Sequence, residues 1–234
     1  MKTKTLLITM LLGVAVVGAT AHASGKAVTM TKEAQQALTP QAALQLLKDG
    51  NARFAADKPL KRNLQKQVKE TAKGQYPFAS IVSCLDSRTS SEIIFDQGIG
   101  DVFNARIAGN IVNTDILGSL EFASKAAGAK VILVVGHTAC GAIKGACDNV
   151  ELGNLTTLID KMEPAVAKTT SAPGEDRSSK NNAFVDRVAE TNVRETMAAI
   201  RKDSPVLAQM EKDGQLIIAG GMYDLATGKV TFLK

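Results

Sequence analysis

The chain has 234 residues, 45% of them hydrophobic, a formal net charge of +5 and a pI of about 9.1. That length can bury a real core in one large or two small domains. There is no tryptophan, and the early basic cluster of Lys58, Lys61, Arg62, Lys66 and Lys69 has no aromatic residues among it, so it describes a solvated helix face rather than a nucleic-acid surface.

The chain starts with Lys2 and Lys4, continues in an apolar run from Thr5 to Thr20, and reaches Ala21-His22-Ala23 just before Ser24. A basic start, a short apolar stretch and an A-x-A site predict a secretory signal peptide over 1-23, cut after Ala23. An uncleaved anchor is the alternative, since the run is close to the lower limit for a spanning helix. No cysteine follows the run and no twin arginine precedes it, which speaks against lipid-anchored or folded export. The expectation is a periplasmic protein with no stable membrane anchor, made of a single domain over 24-234.

Ser24 to Leu38 is small and polar and reads as a loose arm or a first helix. Thr39-Pro40 is a cap followed by proline at the first helical position, and Ala43, Leu46, Leu47, Gly50 and Phe54 recur at helical spacing. A second amphipathic helix fits Lys61 to Lys73, closed by Gly74. Pro77 to Ser83 is a short apolar run leading into Cys84, and Asp101 to Ile107 reads as another strand before a turn at Gly109. Asn113 or Thr114 caps a helix that ends near Gly128. Lys130 to Gly136 is β-branched and apolar on both faces, the pattern of a buried parallel strand. Ala139 to Ala146 and Leu155 to Ala167 read as helices, Thr169 to Ser179 as a loop, and Ala183 to Lys202 as a long helix. Ser204-Pro205 opens a last short helix, and strands over Gln215 to Met222 and Lys229 to Leu233 flank a turn at Ala226-Thr227-Gly228. The expected class is α/β: a mostly parallel central sheet flanked by helices, with an antiparallel C-terminal edge hairpin and an N-terminal helical arm.

Two short motifs carry the chemistry. Cys84, Asp86 and Arg88 stand in SCLDSR, and His137 and Cys140 in GHTACG, each directly after a buried strand. In an open α/β sheet, ligands bind beyond the carboxyl ends of parallel strands near a switch in strand order, so neighbouring strands would bring Cys84, His137 and Cys140 together. Two thiolates, one imidazole and one carboxylate or water make a four-coordinate zinc site. The chain has two histidines, and the other, His22, lies in the leader. A disulfide is the competing reading of the cysteines, but three cannot all pair within one chain, and it explains neither His137 nor the Asp86 and Arg88 pair. Cys147 is then left over as a packed small hydrophobe.

The chain resembles the β-class carbonic anhydrases over nearly all of its mature length: in the CxDSR run, in FDQGIGDVF, in RIAGN at Arg106 to Asn110, in GHTACGAI, and in the closing GGMYDLATGKVTFL. The resemblance implies that Cys84, His137 and Cys140 bind Zn2+, with Asp86 and Arg88 as a catalytic dyad beside it. It also implies that Asp86 can become a metal ligand in a closed state only. Gln75, nine residues before Cys84, stands where relatives place a glutamine that hydrogen-bonds substrate. Gly109 and Gly141 are further candidate substrate contacts, Gly141 through the amide after Cys140, although glycines at such turns more often serve the backbone. Carbon dioxide and bicarbonate are the implied substrates, and a homodimer joined through the N-terminal arm, or a tetramer, the implied assembly.

The residue chemistry agrees. Zinc with three protein ligands and an open position lowers the pKa of water to about 7, giving hydroxide at neutral pH to attack carbon dioxide. Two thiolates weaken zinc as a Lewis acid, so help from Asp86, held off the metal by Arg88, becomes useful. With no free histidine in the mature chain, the proton must leave through buffer, an acid or a tyrosine such as Tyr223. The chain departs from its relatives at several positions. Ile81 and Ser83 stand where bicarbonate-regulated members carry tryptophan and glycine, Thr89-Ser90-Ser91-Glu92 replaces valine-proline-proline-glutamate, and Asn104 replaces valine. Two other functions fit parts of the pattern: a carbonyl sulfide or carbon disulfide hydrolase on the same fold, or a noncatalytic zinc-stabilised exported binding protein. The second has no use for Asp86 and Arg88.

Overall fold

The computed structural model describes residues 27 to 233, so the expected signal peptide over 1-23, with His22, lies outside the described residues. The strand β3 (Val131–His137) is buried along all seven residues. It lies between β1 (Ala79–Ser83) and β4 (Ile217–Tyr223), with β2 (Val102–Arg106) beyond β1 and β5 (Val230–Phe232) beyond β4. The first four strands are parallel and β5 runs antiparallel to β4, which is the expected mostly parallel sheet with an edge hairpin. The chain leaves β1 toward β2 on one side and returns with β3 on the other. That makes the crevice between β1 and β3 the switch point. Ser83 is in register with Val135, so Cys84 and His137 leave the sheet side by side.

Alternation along β3 divides the core. Val131, Leu133 and Val135 face Leu47, Phe78 and Phe95 on one side. Ile132 and Val134 face Val193, Ile200 and Leu207 on the other. A third cluster, with Cys84, Cys140, Ile143, Met162 and Phe184, closes the carboxyl end of the sheet.

The N-terminal helices α1 (Lys32–Ala37) and α2 (Pro40–Ala55) start at Thr31 and Thr39, whose side chains accept from the amides of Ala34 and Ala42. Within α2, a Cβ on Gly50 would lie 1.8 Å from the Phe95 carbonyl oxygen, so only glycine lets the helix lie this close. Asn51, one residue on, donates to the carbonyls of Ile94 (3.0 Å) and Gly228 (2.9 Å) and accepts from the Val230 amide (2.8 Å), tying α2 to the hairpin.

The remaining α-helices among the described residues are α3 (Leu64–Thr71), α4 (Ser91–Ile94), α5 (Thr114–Glu121), α6 (Gly141–Cys147), α7 (Asn154–Asp160), α8 (Glu163–Lys168), α9 (Asn182–Asp203) and α10 (Pro205–Lys212). Three of four differences from expectation have local causes. Asn63 caps the Lys66 amide at 2.9 Å and starts α3 later than Lys61. The short helix α4 was not expected. The stretch read as one helix from Leu155 to Ala167 is two, because Pro164 lacks the amide that would continue the ladder and its ring crowds the preceding turn. Ala139 has φ 53°, so the helix after β3 begins at Gly141 rather than Ala139. The basic cluster also departs from a uniformly solvated face: Arg62 and Arg53 both engage the buried carboxylate of Asp96.

Asp101, at the start of β2, is 6% exposed, and its Oδ2 accepts from the Gly98 amide at 2.7 Å. Burial pushes its carboxyl above the ordinary range, and the amides of Gly98 and Met30 only partly oppose this. A raised folded-state pKa makes the native form prefer the proton, so the penalty is absent below about pH 4 and grows as pH rises through the folded pKa. Asp101→Asn keeps an acceptor for Gly98 without the charge. Its melting temperature relative to wild type is expected to climb between pH 4 and 7, and a difference independent of pH would contradict this account.

Candidate metal centre

The loop that follows β1 is held by its own polar side chains and by β2. Thr89 Oγ1 donates to the carbonyls of Cys84 (3.1 Å) and Asp86 (2.9 Å). Arg106, at the end of β2, reaches the same two carbonyls with Nε at 3.2 Å and Nη2 at 2.5 Å. Within this frame Asp86 and Arg88 form a bidentate pair, Nε to Oδ1 at 2.9 Å and Nη2 to Oδ2 at 2.7 Å, and the Arg88 amide adds a third bond to Oδ1 at 3.0 Å. Arg88 therefore holds the Asp86 carboxyl well below the usual carboxylate range.

His137 is the last residue of β3 and is 1% exposed. Its Nδ1 lies 2.9 Å from the Thr138 carbonyl oxygen, which can only accept, so Nδ1 carries the hydrogen and Nε2 presents its lone pair. Nε2 is buried without a hydrogen-bond partner among the described residues and lies 3.9 Å from Asp86 Oδ2. Cys140 closes the turn after Thr138 and Ala139, with its Sγ 3.9 Å from that of Cys84. The ligand atoms of Cys84, His137 and Cys140 all lie within 4.8 Å of one another, and all three residues are buried.

These residues fit zinc. Two thiolates at about 2.3 Å from a tetrahedral ion stand about 3.8 Å apart. A disulfide would bring the sulfurs to about 2.0 Å, and all three cysteines are free. A buried ring nitrogen without a partner is the fingerprint of an intended ligand. The three groups are also electrostatically linked. The Cys84 thiol is lowered, first by its hydrogen bond with Cys140 and, against burial, by His137 and the amides of Asp86 and Gly109. Cys140, as the partner that keeps the shared proton, is raised. Burial disfavours the His137 imidazolium, but the nearness and charge of the Cys84 sulfur outweigh it and raise the ring.

A cavity of about 440 Å³ opens beside the ligands, with Cys84, Asp86, Gly141 and Lys144 on its wall and Leu85 and Leu155 among its apolar lining. Asp86 stands here in the open arrangement, on Arg88 rather than among the ligand atoms. Gly141 faces the cavity, with nothing within 4 Å of where a Cβ would sit.

Gly109 does not reach the cavity wall. It is buried at φ 70°, its amide points at the Cys84 sulfur, and its carbonyl accepts from Asn192 Nδ2 at 2.6 Å. It supports the Cys84 sulfur. Gln75 is not brought to the site within one chain. It precedes β1, whose five residues span roughly 17 Å, while Cys84 follows the strand's other end. Tyr223 packs with Ala43, Leu47 and Phe95, in a cluster separate from that of Cys84 and Cys140. Cys147 is half-buried against the latter cluster, as a small hydrophobe.

Sequence reasoning did not assign Thr89, Arg106 or Asn192 to this centre. Arg106 stood in the RIAGN motif, but nothing local says that its guanidinium turns back onto a loop about twenty residues earlier. At Gly109, a Cβ would come within 2.3 Å of Met162 Sδ, and the backbone needs a left-handed φ. Gly109→Ala is expected to cost at least about 2 kcal/mol of stability through strain and overpacking. Chemical denaturation measures this, and an unchanged midpoint would refute the packing argument.

The sequence profile of the family described as carbonic anhydrase matches residues 79–230. A carbonic anhydrase of Mycolicibacterium smegmatis is 35% identical over 198 residues, covering 82% of this chain and 92% of that protein. Among solved structures, a β-carbonic anhydrase of the fungus Aspergillus fumigatus superposes with a TM-score of 0.64 at 26% identity, over 83% of this chain and 90% of that one. A tetrameric β-carbonic anhydrase of Sordaria macrospora gives 0.63 at 26% identity, over 72% and 90%. With the parallel sheet and the paired strand-end motifs, these matches place the chain in the β-class carbonic anhydrase family of lyases.

Proposed function

We propose that the chain catalyses the zinc-dependent, reversible hydration of carbon dioxide to bicarbonate and a proton. The observation that carries this reading is the convergence of Cys84 Sγ, His137 Nε2 and Cys140 Sγ within 4.8 Å, with the Asp86–Arg88 pair beside them. When bound, zinc supplies a Lewis acid able to ionise water near neutral pH.

The residues divide the remaining work. Asp86 stays ionised, as an acceptor only, and accepts a hydrogen bond from the attacking oxygen so that the oxygen's lone pair points at carbon. Arg88 keeps Asp86 turned toward that position and opposes its move to a closed, metal-ligating position. The apolar lining that includes Leu85 and Leu155 suits uncharged carbon dioxide, and Gly141 on the same wall would offer its amide to an oxygen of substrate. Adding water to carbon dioxide releases one proton. His137 is committed as a ligand, and Tyr223, its neighbour on β4, packs its buried side chain with Ala43, Leu47 and Phe95, so we assign the proton to solvent buffer.

Assembly and location complete the reading. A homodimer or tetramer is supported by the tetrameric relative and by exposed apolar side chains at Leu85, Ile93 and Phe122. Any contact of Gln75 with substrate must then come across a subunit boundary. Among the described residues no helix is long and apolar enough to cross a membrane. The leader pattern supports export to the periplasm as a chain beginning at Ser24, and the intact mass of protein from the periplasmic fraction tests this.

Stopped-flow hydration with zinc quantified in the same sample tests the function. The rate is expected to scale with zinc and to vanish with the metal in Cys84→Ser, whereas Cys147→Ser keeps both. Asp86→Asn is expected to keep zinc and lose roughly 100-fold in kcat/KM. One zinc per chain with no hydration would move the assignment to the sulfur-containing substrates or to a structural site. Turnover is expected to rise with buffer concentration and basicity, and rates indifferent to both would sink the buffer route.

A further inference from the structure

Two of the three ligands, His137 and Cys140, are separated by a two-residue turn that leaves a strand and enters a helix. Ala139 in that turn has φ 53°, a left-handed conformation that a residue with a Cβ rarely adopts. Most of the polar groups of the turn are anchored locally or by backbone. The Thr138 amide donates to the Tyr223 carbonyl (3.0 Å), Thr138 Oγ1 accepts from the Leu225 amide (3.1 Å), and the Cys140 carbonyl accepts from the Lys144 amide (2.9 Å). The Ala139 amide has a different partner. It donates to Asp186 Oδ1 at 2.8 Å, a side chain of α9 that lies 47 residues away.

The approach of α9 that allows this is itself built in. A Cβ on Gly136, just before His137, would lie 2.7 Å from Val193 Cγ2 and 3.4 Å from the Ala189 carbonyl oxygen, so glycine there lets α9 lie against the end of β3. Asp186 stands one turn before Ala189 on that helix, is only partly exposed, and makes no ion pair among the described residues. Its carboxylate is free to serve the turn.

We propose that Asp186 is a positioning residue of the metal centre: by accepting from the Ala139 amide it holds the left-handed turn that carries Cys140 to Cys84 and His137. The proposal rests on the zinc reading above and concerns how the site is preorganised rather than what it catalyses. A charged acceptor suits the role, since a hydrogen bond to an ionised group is about twice as strong as one between neutral groups.

The test is the zinc dissociation constant of the metal-stripped full chain, measured by competition with a chromogenic chelator, for wild type, Asp186→Asn, Asp186→Ala, Ala139→Gly and the Asp186→Ala/Ala139→Gly double variant. Asp186→Ala is expected to weaken zinc binding by roughly 10- to 100-fold, the range for loss of an outer partner of a metal ligand. Asp186→Asn, which keeps a neutral acceptor, is expected to weaken it by roughly three- to tenfold. Glycine adopts positive φ without steric cost, so Ala139→Gly is expected to recover most of the Asp186→Ala loss. A general structural role for Asp186 would give no such recovery, and its absence would overturn the assignment. Unchanged zinc affinity in both Asp186 variants would also overturn it. If Asp186→Ala does not fold by circular dichroism, Asp186→Asn decides alone, and wild-type affinity there counts against the proposal. A wild-type chain that takes up no zinc would overturn the metal reading together with this assignment.

Discussion

The parallel register of β1 against β3 is the constraint on which the metal centre depends. Ser83 lies opposite Val135, so the next residues of both strands emerge at one height on the same edge of the sheet. Neither strand contributes enough by itself, since Cys84 comes from one and His137 and Cys140 from the other. The register in turn depends on both strands being buried on both faces. A slip by one residue would turn Leu133 and Val134 into each other's clusters, and neither packed face could accept the exchange.

Around that junction the protein spends its polar side chains on backbone rather than on the ligands themselves. Arg106 and Thr89 share the carbonyls of Cys84 and Asp86, Asn192 takes the carbonyl of Gly109, and Asp186 takes the amide of Ala139. Each fixes a loop at the point where it delivers a sulfur, a carboxylate or an imidazole. The helix α9 supplies two of these anchors, one to the loop behind Cys84 and one to the turn before Cys140, so one rigid element sets both halves of the site. Preorganisation of this kind keeps two sulfurs 3.9 Å apart and a ring nitrogen unpartnered in a buried place. Both arrangements would be unfavourable if the loops were free to relax.

How much was legible in the sequence varies with the range of the interaction. The strand β3 was legible because six consecutive apolar or small residues, most of them β-branched, have no other stable use. The caps at Thr39, Asn113 and Ser204 were legible because the capping side chain and the amide it accepts from are three residues apart. The division at Pro164 was legible in principle, since proline removes a helical donor wherever it stands. Arg62 was misread because its partner, Asp96, is 34 residues away. Gly109 was legible only in part for a related reason. Its φ could be expected from its being glycine, whereas the side it faces depends on Cys84, Met162 and Asn192 arriving from three other places. Gln75 shows the opposite hazard, because a fixed spacing to Cys84 in sequence became a separation along the length of a strand.

The sequence by itself determined which atoms could bind a metal and which segments would be buried, because donor chemistry and hydrophobic period are properties of a residue and its near neighbours. It also carried the family pattern across both strand-end motifs. Only the tertiary structure decided that β1 and β3 are adjacent, that Asp86 rests on Arg88, that Gly109 backs a sulfur instead of facing the cavity, and that Asp186 holds the turn before Cys140. Those outcomes belong to pairs of residues far apart in the chain. Their geometry exists only once parallel crossovers have fixed the order of the strands and a helix has been allowed to settle against a glycine.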